Sequence, residues 1–173
     1  MPDELRDFRP EEISRVLVAH GVRFVVIGGL AAQFHGSMML TRDIDVTPAM
    51  DEVNLTRLSA ALTELGARVR HPDVPEGLPF GHDATSLAAA LFWNLTTPYG
   101  DLDLSFHPAG TDGYDDLQRD AVVLVYGGTP TPVASLRDVI RSKDAANRDK
   151  DRRMLPELRR ILDLGPDRGQ RPT

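Results

Sequence analysis

Apolar residues recur along the chain with two different spacings, one helical and one typical of strands. Apolar residues at helical spacing follow Pro10 and end at Gly21, which predicts a helix. The next segment, 22–27 (VRFVVI), is nearly all apolar and rich in β-branched residues, which predicts a buried strand. The same criteria predict further helices at 51–65, 112–119, 136–146 and 149–164, and further strands at 43–47, 67–70 and 121–126.

Turns and prolines along the chain add three predictions. Residues 92–97 (FWNLTT) and 101–106 (DLDLSF) flank a Pro-Tyr-Gly turn, which predicts a β-hairpin. The segment 71–81 is rich in proline and glycine and is predicted to be a loop. Pro156 is expected to kink the last helix or to begin its second half.

The alternation of helices and strands indicates the fold class. We predict an α/β (α+β) domain in which helices flank one mixed sheet. The length of 173 residues suits a single domain. We place this domain at 1–164, with a C-terminal helical segment at 135–164, and predict that the tail, 165–173, is disordered.

Composition excludes several classes of function. The chain contains no cysteine, which excludes disulfides, thiolate metal sites and cysteine nucleophiles. Its five histidines show no metal-ligand spacing, so a zinc enzyme is not expected. There is no apolar run of about 18 residues, and the first residues are acidic and polar. We therefore expect no membrane partner and a cytoplasmic location.

Charge is distributed unevenly along the chain. Residues 1–134 contain 9 basic and 19 acidic side chains, whereas residues 135–173 contain 11 basic and 7 acidic ones. This asymmetry suits a protein that binds metal through a carboxylate cluster and meets a polyanion at its basic end. Solvated faces of arginine-rich helices would give the same pattern, so charge alone leaves both interpretations open.

Two acids in the predicted strand at 43–47 form the first candidate site. Asp43 and Asp45 are two residues apart, so their carboxylates point to the same face, about 6–7 Å apart at the backbone. Like charges held this close repel each other unless a cation lies between them. Mg²⁺ or Mn²⁺ prefers hard oxygen ligands of this kind. The alternative is that the acids merely keep a strand edge soluble.

Small residues precede this acidic pair. Gly28 and Gly29 lie where the strand at 22–27 ends and a short helix begins, so backbone N–H groups there are open to a phosphate. A second small pair, Gly36 and Ser37, could add a hydroxyl donor. A phosphate-binding turn followed by paired carboxylates is the arrangement that nucleotidyl transfer needs. The sequence contains neither GxGxxG nor GxxxxGKS/T, which excludes the dinucleotide-binding and P-loop motifs.

A third carboxylate is expected from the predicted hairpin. Asp103 is favoured because Leu102 and Leu104 flank it, whereas Asp101 adjoins the turn. The sequence leaves open which of these two acids is the third ligand. Lys143 is a further candidate, because the chain has only two lysines against 18 arginines and a compact ammonium group suits a triphosphate.

These motifs together resemble those of a known superfamily. The residues that carry the likeness are Gly28-Gly29, Gly36-Ser37, 41–45 (TRDID), Asp103 and 143–151 (KDAANRDKD). They look like the motifs of DNA polymerase β-type nucleotidyltransferases and, more narrowly, of AbiEii-type abortive-infection toxins and their MenT-like relatives. The resemblance implies a polymerase β-like nucleotidyltransferase fold. It also implies metal-dependent transfer of NMP from an NTP, with release of pyrophosphate.

The resemblance implies roles for individual residues. Asp43, Asp45 and Asp103 would hold Mg²⁺ or Mn²⁺ and, together with Lys143, carry the catalysis. Independently of the resemblance, Thr41 is a possible site of regulatory phosphorylation, because it lies two residues before Asp43 and shares its face if the strand extends back that far. The residues expected to bind the nucleotide are Gly28, Gly29, Gly36, Ser37, Arg42, Lys143 and Asp151.

The acceptor is less well defined. By resemblance it is the 3′ end of tRNA, and the protein is a toxin that blocks translation and is neutralised by an antitoxin. Arginines of the basic segment would then line the approach of the RNA, namely Arg137, Arg141, Arg148, Arg152 and Arg153. Three alternatives stay open: transfer to a protein hydroxyl, a catalytically silent nucleotide- or RNA-binding module, and an antibiotic-modifying transferase.

Overall fold

The computed structural model of the chain describes residues 7–165, whose strands form one eight-stranded mixed sheet. The strands are β1 (Phe24–Ile27), β2 (Asp43–Pro48), β3 (Arg68–His71), β4 (Val74–Leu78), β5 (Phe92–Thr97), β6 (Gly100–Ser105), β7 (Val122–Tyr126) and β8 (Thr129–Val133). The helices are α1 (Pro10–Ala19), α2 (Gly28–Phe34), α3 (Glu52–Glu64), α4 (Ala84–Ala88), α5 (Tyr114–Leu117), α6 (Leu136–Ala146) and α7 (Asp149–Leu164). The mixed sheet flanked by helices confirms the predicted fold class.

The strand order places two acidic strands side by side inside the sheet. The order is β4-β3-β5-β6-β2-β1-β8-β7. β2 is antiparallel to β1 and parallel to β6, and β5 and β6 form the predicted hairpin. In the parallel pair, Asp43 lies beside Asp101, and Asp45 lies beside Asp103. Acids that are far apart in the sequence therefore become neighbours.

Apolar residues alternate with these acids and belong to the core. Ile44 on β2 and Leu102 and Leu104 on β6 are fully buried. The acids between them therefore point to the opposite face of the sheet. Many of the large buried side chains come from α1 and α3, among them Ile13, Leu17, Leu55, Leu58 and Leu62.

The sequence patterns miss two strands because both contain proline. The prediction of a loop at 71–81 is wrong, since this segment contains β4, which pairs antiparallel with β3. β4 is an edge strand, and an edge strand tolerates Pro75 because no strand among residues 7–165 pairs with its outer side. β8 contains Pro130 and Pro132. Its register with β1 is confined to one residue pair at Val133, so the two prolines interrupt no ladder on that side.

The C-terminal helices α6 and α7 have the predicted bounds. Pro156 lies inside α7, which runs from Asp149 to Leu164 as one helix, so this proline does not begin a second helix. Gly165 follows the last helical residue, and the rest of the predicted tail lies outside the described residues. Within the described part of the chain, no helix is long and apolar enough to cross a membrane.

Candidate functional site

Asp43, Asp45 and Asp103 form a carboxylate cluster where β2 and β6 lie side by side. Each offers a carboxylate oxygen, and these oxygens all lie within 4.8 Å of one another. Hard oxygen ligands at this spacing fit a divalent cation such as Mg²⁺ or Mn²⁺. The structure thus brings Asp103 into the cluster, and within residues 7–165 Asp101 is not part of any such group.

Burial makes two carboxylates of this cluster, Asp45 and Asp103, costly to ionise. Burial raises the pKa of Asp45 to about 7, with further contributions from the charges of Asp43 and Asp103. Burial also raises the pKa of Asp103 to about 6, although the guanidinium of Arg70 opposes this change. A bound divalent cation would favour the ionised carboxylates and relieve their repulsion. The donor set and its electrostatics therefore fit a metal ion.

A cavity of about 530 Å³ opens beside the carboxylate cluster. Its walls come from the junction of β1 and α2, the segment 39–42, the start of β2, and residues of α6 and α7. The residues expected from the sequence that line the cavity are Gly28, Gly29, Thr41, Arg42, Asp43, Asp45, Lys143 and Arg148. Lys150 lines it as well. The cavity therefore joins an acidic end to a basic wall.

The first glycine pair lies against the carboxylate cluster. α2 begins at Gly28, directly after β1. Gly28 has a φ of +68°, and a Cβ at this position would collide with the carboxylate of Asp45. A Cβ on Gly29 would lie 3.0 Å from Thr41 Oγ1. Glycine thus lets the start of α2 approach the acids, and the first N–H groups of a helix have no partner within it.

Lys143 reaches the basic wall of the cavity from α6 and is held there by Asp151. Both residues are buried, and the Lys143 Nζ lies 3.4 Å from Asp151 Oδ1. Arg148 also binds Asp151, through Nε at 2.7 Å and through its backbone N–H. Burial lowers the pKa of Lys143, and the ion pair with Asp151 opposes this effect. Asp151 therefore lies behind the cavity and orients two of its cations.

The second small pair, Gly36 and Ser37, lies away from the cavity lining. Ser37 Oγ donates a hydrogen bond of 2.7 Å to Glu157 Oε2 on α7, and the backbone N–H of Met38 donates to Glu157 Oε1. These bonds lower the pKa of Glu157. The structure thus does not bring Gly36 and Ser37 together with the other predicted nucleotide-binding residues. They attach the loop after α2 to α7.

Thr41 lies next to the carboxylate cluster, on the cavity side. Its Oγ1 donates a hydrogen bond of 2.8 Å to Asp43 Oδ1. This contact agrees with the expectation that Thr41 shares a face with Asp43. The hydroxyl is therefore in a position to influence the orientation of the Asp43 carboxylate.

Arg70 is a residue of the site that sequence reasoning missed. It lies on β3 and reaches past β5 to the acids of β6, where Nη2 lies 2.5 Å from Asp103 Oδ1 and Nε lies 3.2 Å from Asp101 Oδ2. No local motif marks it, because its partners lie about 30 residues further along the chain. The only available signal was a basic residue in a predicted strand close to the hairpin.

No protein-family model matches the chain, and no curated protein matches it. Several solved structures do. The lincosamide antibiotic adenylyltransferase LnuA, bound to lincomycin, matches with a TM-score of 0.59 and 17% identity, over 90% of this chain and 98% of that chain.

Two further solved structures give similar agreement. ANT(2")-Ia in complex with adenylyl-2"-tobramycin has a TM-score of 0.53 and 18% identity, over 90% of this chain and 87% of that chain. An antigenic nucleotidyltransferase-like protein from Paracoccidioides brasiliensis has a TM-score of 0.52 and 17% identity, over 90% and 74% of the two chains. These likenesses show that the chain has the fold of the nucleotidyltransferase structures.

Proposed function

We propose that the protein transfers a nucleoside monophosphate from a nucleoside triphosphate to an acceptor hydroxyl. The observation that carries this proposal is the convergence of Asp43, Asp45 and Asp103 beside a cavity with a basic wall. Paired acids beside cations suit a reaction in which a triphosphate must be held and its charge neutralised. The nucleotidyltransferase fold of the chain supports the same reaction.

Asp43, Asp45 and Asp103 would hold Mg²⁺ or Mn²⁺. When bound, the metal supplies charge neutralisation for the triphosphate and acidifies a hydroxyl group beside it. Thr41, which donates to Asp43 Oδ1, keeps that carboxylate in place. A phosphoryl group on Thr41 would add negative charge at this point, so we retain Thr41 as a proposed regulatory site.

Cations and backbone donors of the cavity would bind the triphosphate. Lys143 and Arg42 line the cavity, and Asp151 keeps the ammonium group of Lys143 oriented. The start of α2, at Gly28 and Gly29, offers backbone N–H groups to phosphate oxygens. Gly36, Ser37 and Asp151 would act indirectly, by fixing the walls that carry these donors.

The reaction follows from these positions. The acceptor hydroxyl attacks the α-phosphorus, a new O–P bond forms, and the bond from the α-phosphorus to the bridging oxygen breaks. The proton of the hydroxyl passes to the carboxylate of Asp103, which lies in the carboxylate cluster. Pyrophosphate leaves toward Lys143 and Arg42. Most of the acceleration comes from positioning and from charge neutralisation.

The 3′ end of tRNA is the acceptor that the sequence resemblance implies, with a toxin role and an antitoxin partner. The exposed arginines of the C-terminal helices support an RNA acceptor, because they would contact its phosphates. Three of them are partly neutralised by acids three residues away, since Arg141 pairs with Asp138, Arg148 with Asp151, and Arg152 with Asp149. These ion pairs weaken the support for RNA.

A small-molecule hydroxyl is the second candidate acceptor. The observation that favours it is the likeness to LnuA, solved with lincomycin, and to ANT(2")-Ia, solved with an adenylyl-tobramycin product. Under this proposal the protein modifies a small hydroxylated compound of the kind that these two structures contain. The carboxylate cluster and the basic wall of the cavity would have the same roles with either acceptor.

One experiment tests the transfer and separates the acceptors. The purified protein is incubated with each of the four NTPs labelled at the α-phosphate, with Mg²⁺ or Mn²⁺. Acceptors are total tRNA, other RNA, a cell-protein extract and a panel of lincosamides and aminoglycosides. Label on one acceptor class identifies it, and Asp45→Asn should remove that label. Absence of labelled product with every acceptor and every NTP would contradict the proposed function.

A further inference from the structure

Arg70 contacts the carboxylate cluster from outside the cavity, through Asp103. Its Nη2 donates to Asp103 Oδ1 at 2.5 Å and to the backbone oxygen of Leu95 at 3.2 Å, and its Nε lies 3.2 Å from Asp101 Oδ2. One planar guanidinium therefore makes three polar contacts at fixed angles to one another. These contacts hold Arg70 in one place beside Asp103.

The ion pairs of Arg70 with Asp101 and Asp103 contribute little to the free energy of unfolding. The side chains of Arg70 and Asp101 are 37% and 36% exposed, and ion pairs at such exposure contribute little. The local effect on Asp103 is different, because this side chain is only 19% exposed and faces two further carboxylates. Arg70 is the cation that the structure places in direct contact with it.

We propose that Arg70 is a positioning residue of the transfer site, an inference that rests on the proposed NMP transfer. By binding Oδ1, Arg70 keeps one oxygen of Asp103 away from the metal site shared with Asp43 and Asp45. The carboxylate thereby stays aimed at the acceptor hydroxyl and does not turn wholly toward the metal. Asp101 anchors the other side of the guanidinium and takes no part in the chemistry itself.

The proposal explains why the sequence has two acids on β6. Asp101 and Asp103 have the same spacing as Asp43 and Asp45, but only Asp103 belongs to the carboxylate cluster within the described residues. Arg70 can bridge both acids of β6 because its nitrogens form a planar fork. A lysine at this position has a single ammonium group and would hold one of the two acids at a time.

Metal affinity and turnover together separate positioning from simple stabilisation. Arg70→Gln is compared with Arg68→Gln, since Arg68 lies on the same strand but donates to the backbone oxygen of Gly77. Mn²⁺ binding is measured without nucleotide by electron paramagnetic resonance, and unfolding is measured by circular dichroism. Initial rates are measured with the NTP and the acceptor that the labelling experiment identifies.

Loss of Arg70 should move the two readouts in opposite directions. Mn²⁺ should bind Arg70→Gln about three- to tenfold more tightly, because a cation is removed from beside the acids. The kcat should fall about 10- to 100-fold while KM for the NTP stays within about threefold, and Arg70→Lys should recover part of the kcat. Arg68→Gln should change neither quantity by more than about twofold.

Other outcomes would overturn the proposal. Weaker Mn²⁺ binding together with a lower kcat in Arg70→Gln would indicate a merely structural role, as would equal losses in Arg68→Gln. An unchanged kcat would show that Asp103 needs no positioning. If the wild-type protein transfers no NMP, the proposed function fails. Unchanged Mn²⁺ binding in Arg70→Gln would in addition show that Arg70 does not position Asp103.

Discussion

Two strands of the sheet carry the same Asp-x-Asp spacing in different surroundings. Asp43 and Asp45 on β2 line the cavity. Asp101 and Asp103 lie on β6, which pairs with β2 in parallel register, and both contact Arg70. Asp45 ionises with difficulty, since burial and its neighbours raise its pKa to about 7. The spacing of an acidic pair therefore does not define its role; the role depends on the residues that surround the pair.

The difference assigns separate tasks to the two pairs. The pair on β2 is proposed to hold metal and triphosphate together. The two acids on β6 are proposed to have different roles. Asp103 accepts the proton of the acceptor hydroxyl, and Asp101 holds Arg70 in place.

Removing either carboxylate of the β2 pair should have the largest effect. Asp43→Asn or Asp45→Asn should lower the transfer rate at least about a thousandfold, or about 4 kcal/mol in barrier, because metal and triphosphate lose a ligand. Both variants should stay folded, since asparagine keeps the shape and removes repulsion. Product formation from labelled NTP and circular dichroism check these expectations. Rates within tenfold of wild type would remove the β2 pair from the mechanism.

A negative charge at Thr41 should affect the β2 pair nearly as strongly. Thr41→Glu should lower the rate more than about a hundredfold, because an anion would stand beside Asp43 and compete for cations. Thr41→Val should stay within about tenfold, or about 1.4 kcal/mol in barrier, since it loses a single hydrogen bond. The same labelling assay compares the two variants. High activity with glutamate would show that position 41 does not face the triphosphate.

The two acids of β6 should differ from each other. Asp103→Asn should lower kcat about a hundredfold, because the proposed proton acceptor is lost. Asp101→Asn should stay within about tenfold, since Asp101 acts through Arg70. Steady-state rates at saturating NTP measure both. Equal losses of kcat in Asp101→Asn and Asp103→Asn would contradict different roles for the two acids.

Gly28 beside the carboxylate cluster and Gly36 away from the cavity both have a positive φ, and they offer a comparison. Gly28→Ala should lower the rate about 30-fold, because its Cβ would displace the Asp45 carboxylate. Gly36→Ala imposes a similar backbone strain, of about 1 kcal/mol, but its Cβ would meet only Ile161 at 3.9 Å. Gly28→Ala should therefore lose at least as much stability in urea unfolding as Gly36→Ala, and Gly36→Ala should keep its kcat within about threefold. A similar loss of kcat in both would contradict a special role for Gly28.

The pH dependence of stability tests the electrostatics of the carboxylate cluster without a transfer assay. The folded protein keeps a proton on Asp45 up to about pH 7, whereas an unfolded chain loses it near its usual pKa of 3.8. Metal-free stability should therefore fall by about 2–4 kcal/mol as pH rises from 4 to 8. Asp45→Asn should flatten this decline, and Mg²⁺ should restore stability at pH 8 more than at pH 5. Urea unfolding with and without Mg²⁺ measures these differences.

Sequence patterns predict the parts of the site that depend on local spacing. Asp43 and Asp45 share a face because strand side chains alternate, and Gly28 lies where an apolar strand must give way to a helix. The flanking leucines of Asp103 also indicate its position correctly, because they bury the opposite face of β6. These features need no knowledge of distant contacts.

Features that depend on long-range contacts escape sequence patterns. Arg70 meets Asp103 only because β3, β5 and β6 pair in one sheet. Ser37 has the composition of a phosphate-binding residue, but its hydroxyl binds Glu157, which is far along the chain on α7. The prolines of β4 and β8 hide two strands, because proline is disfavoured within a sheet except where a ladder bond is absent.

NMP transfer at the carboxylate cluster is tested by following the α- and γ-phosphates of the NTP separately. Wild type and Asp45→Asn are each incubated with the preferred acceptor and with NTP labelled at either the α- or the γ-phosphate. We expect that only α-label enters the acceptor, that γ-label leaves in pyrophosphate, and that Asp45→Asn transfers neither. Transfer of γ-label to the acceptor, or equal α-label transfer by Asp45→Asn, would contradict it.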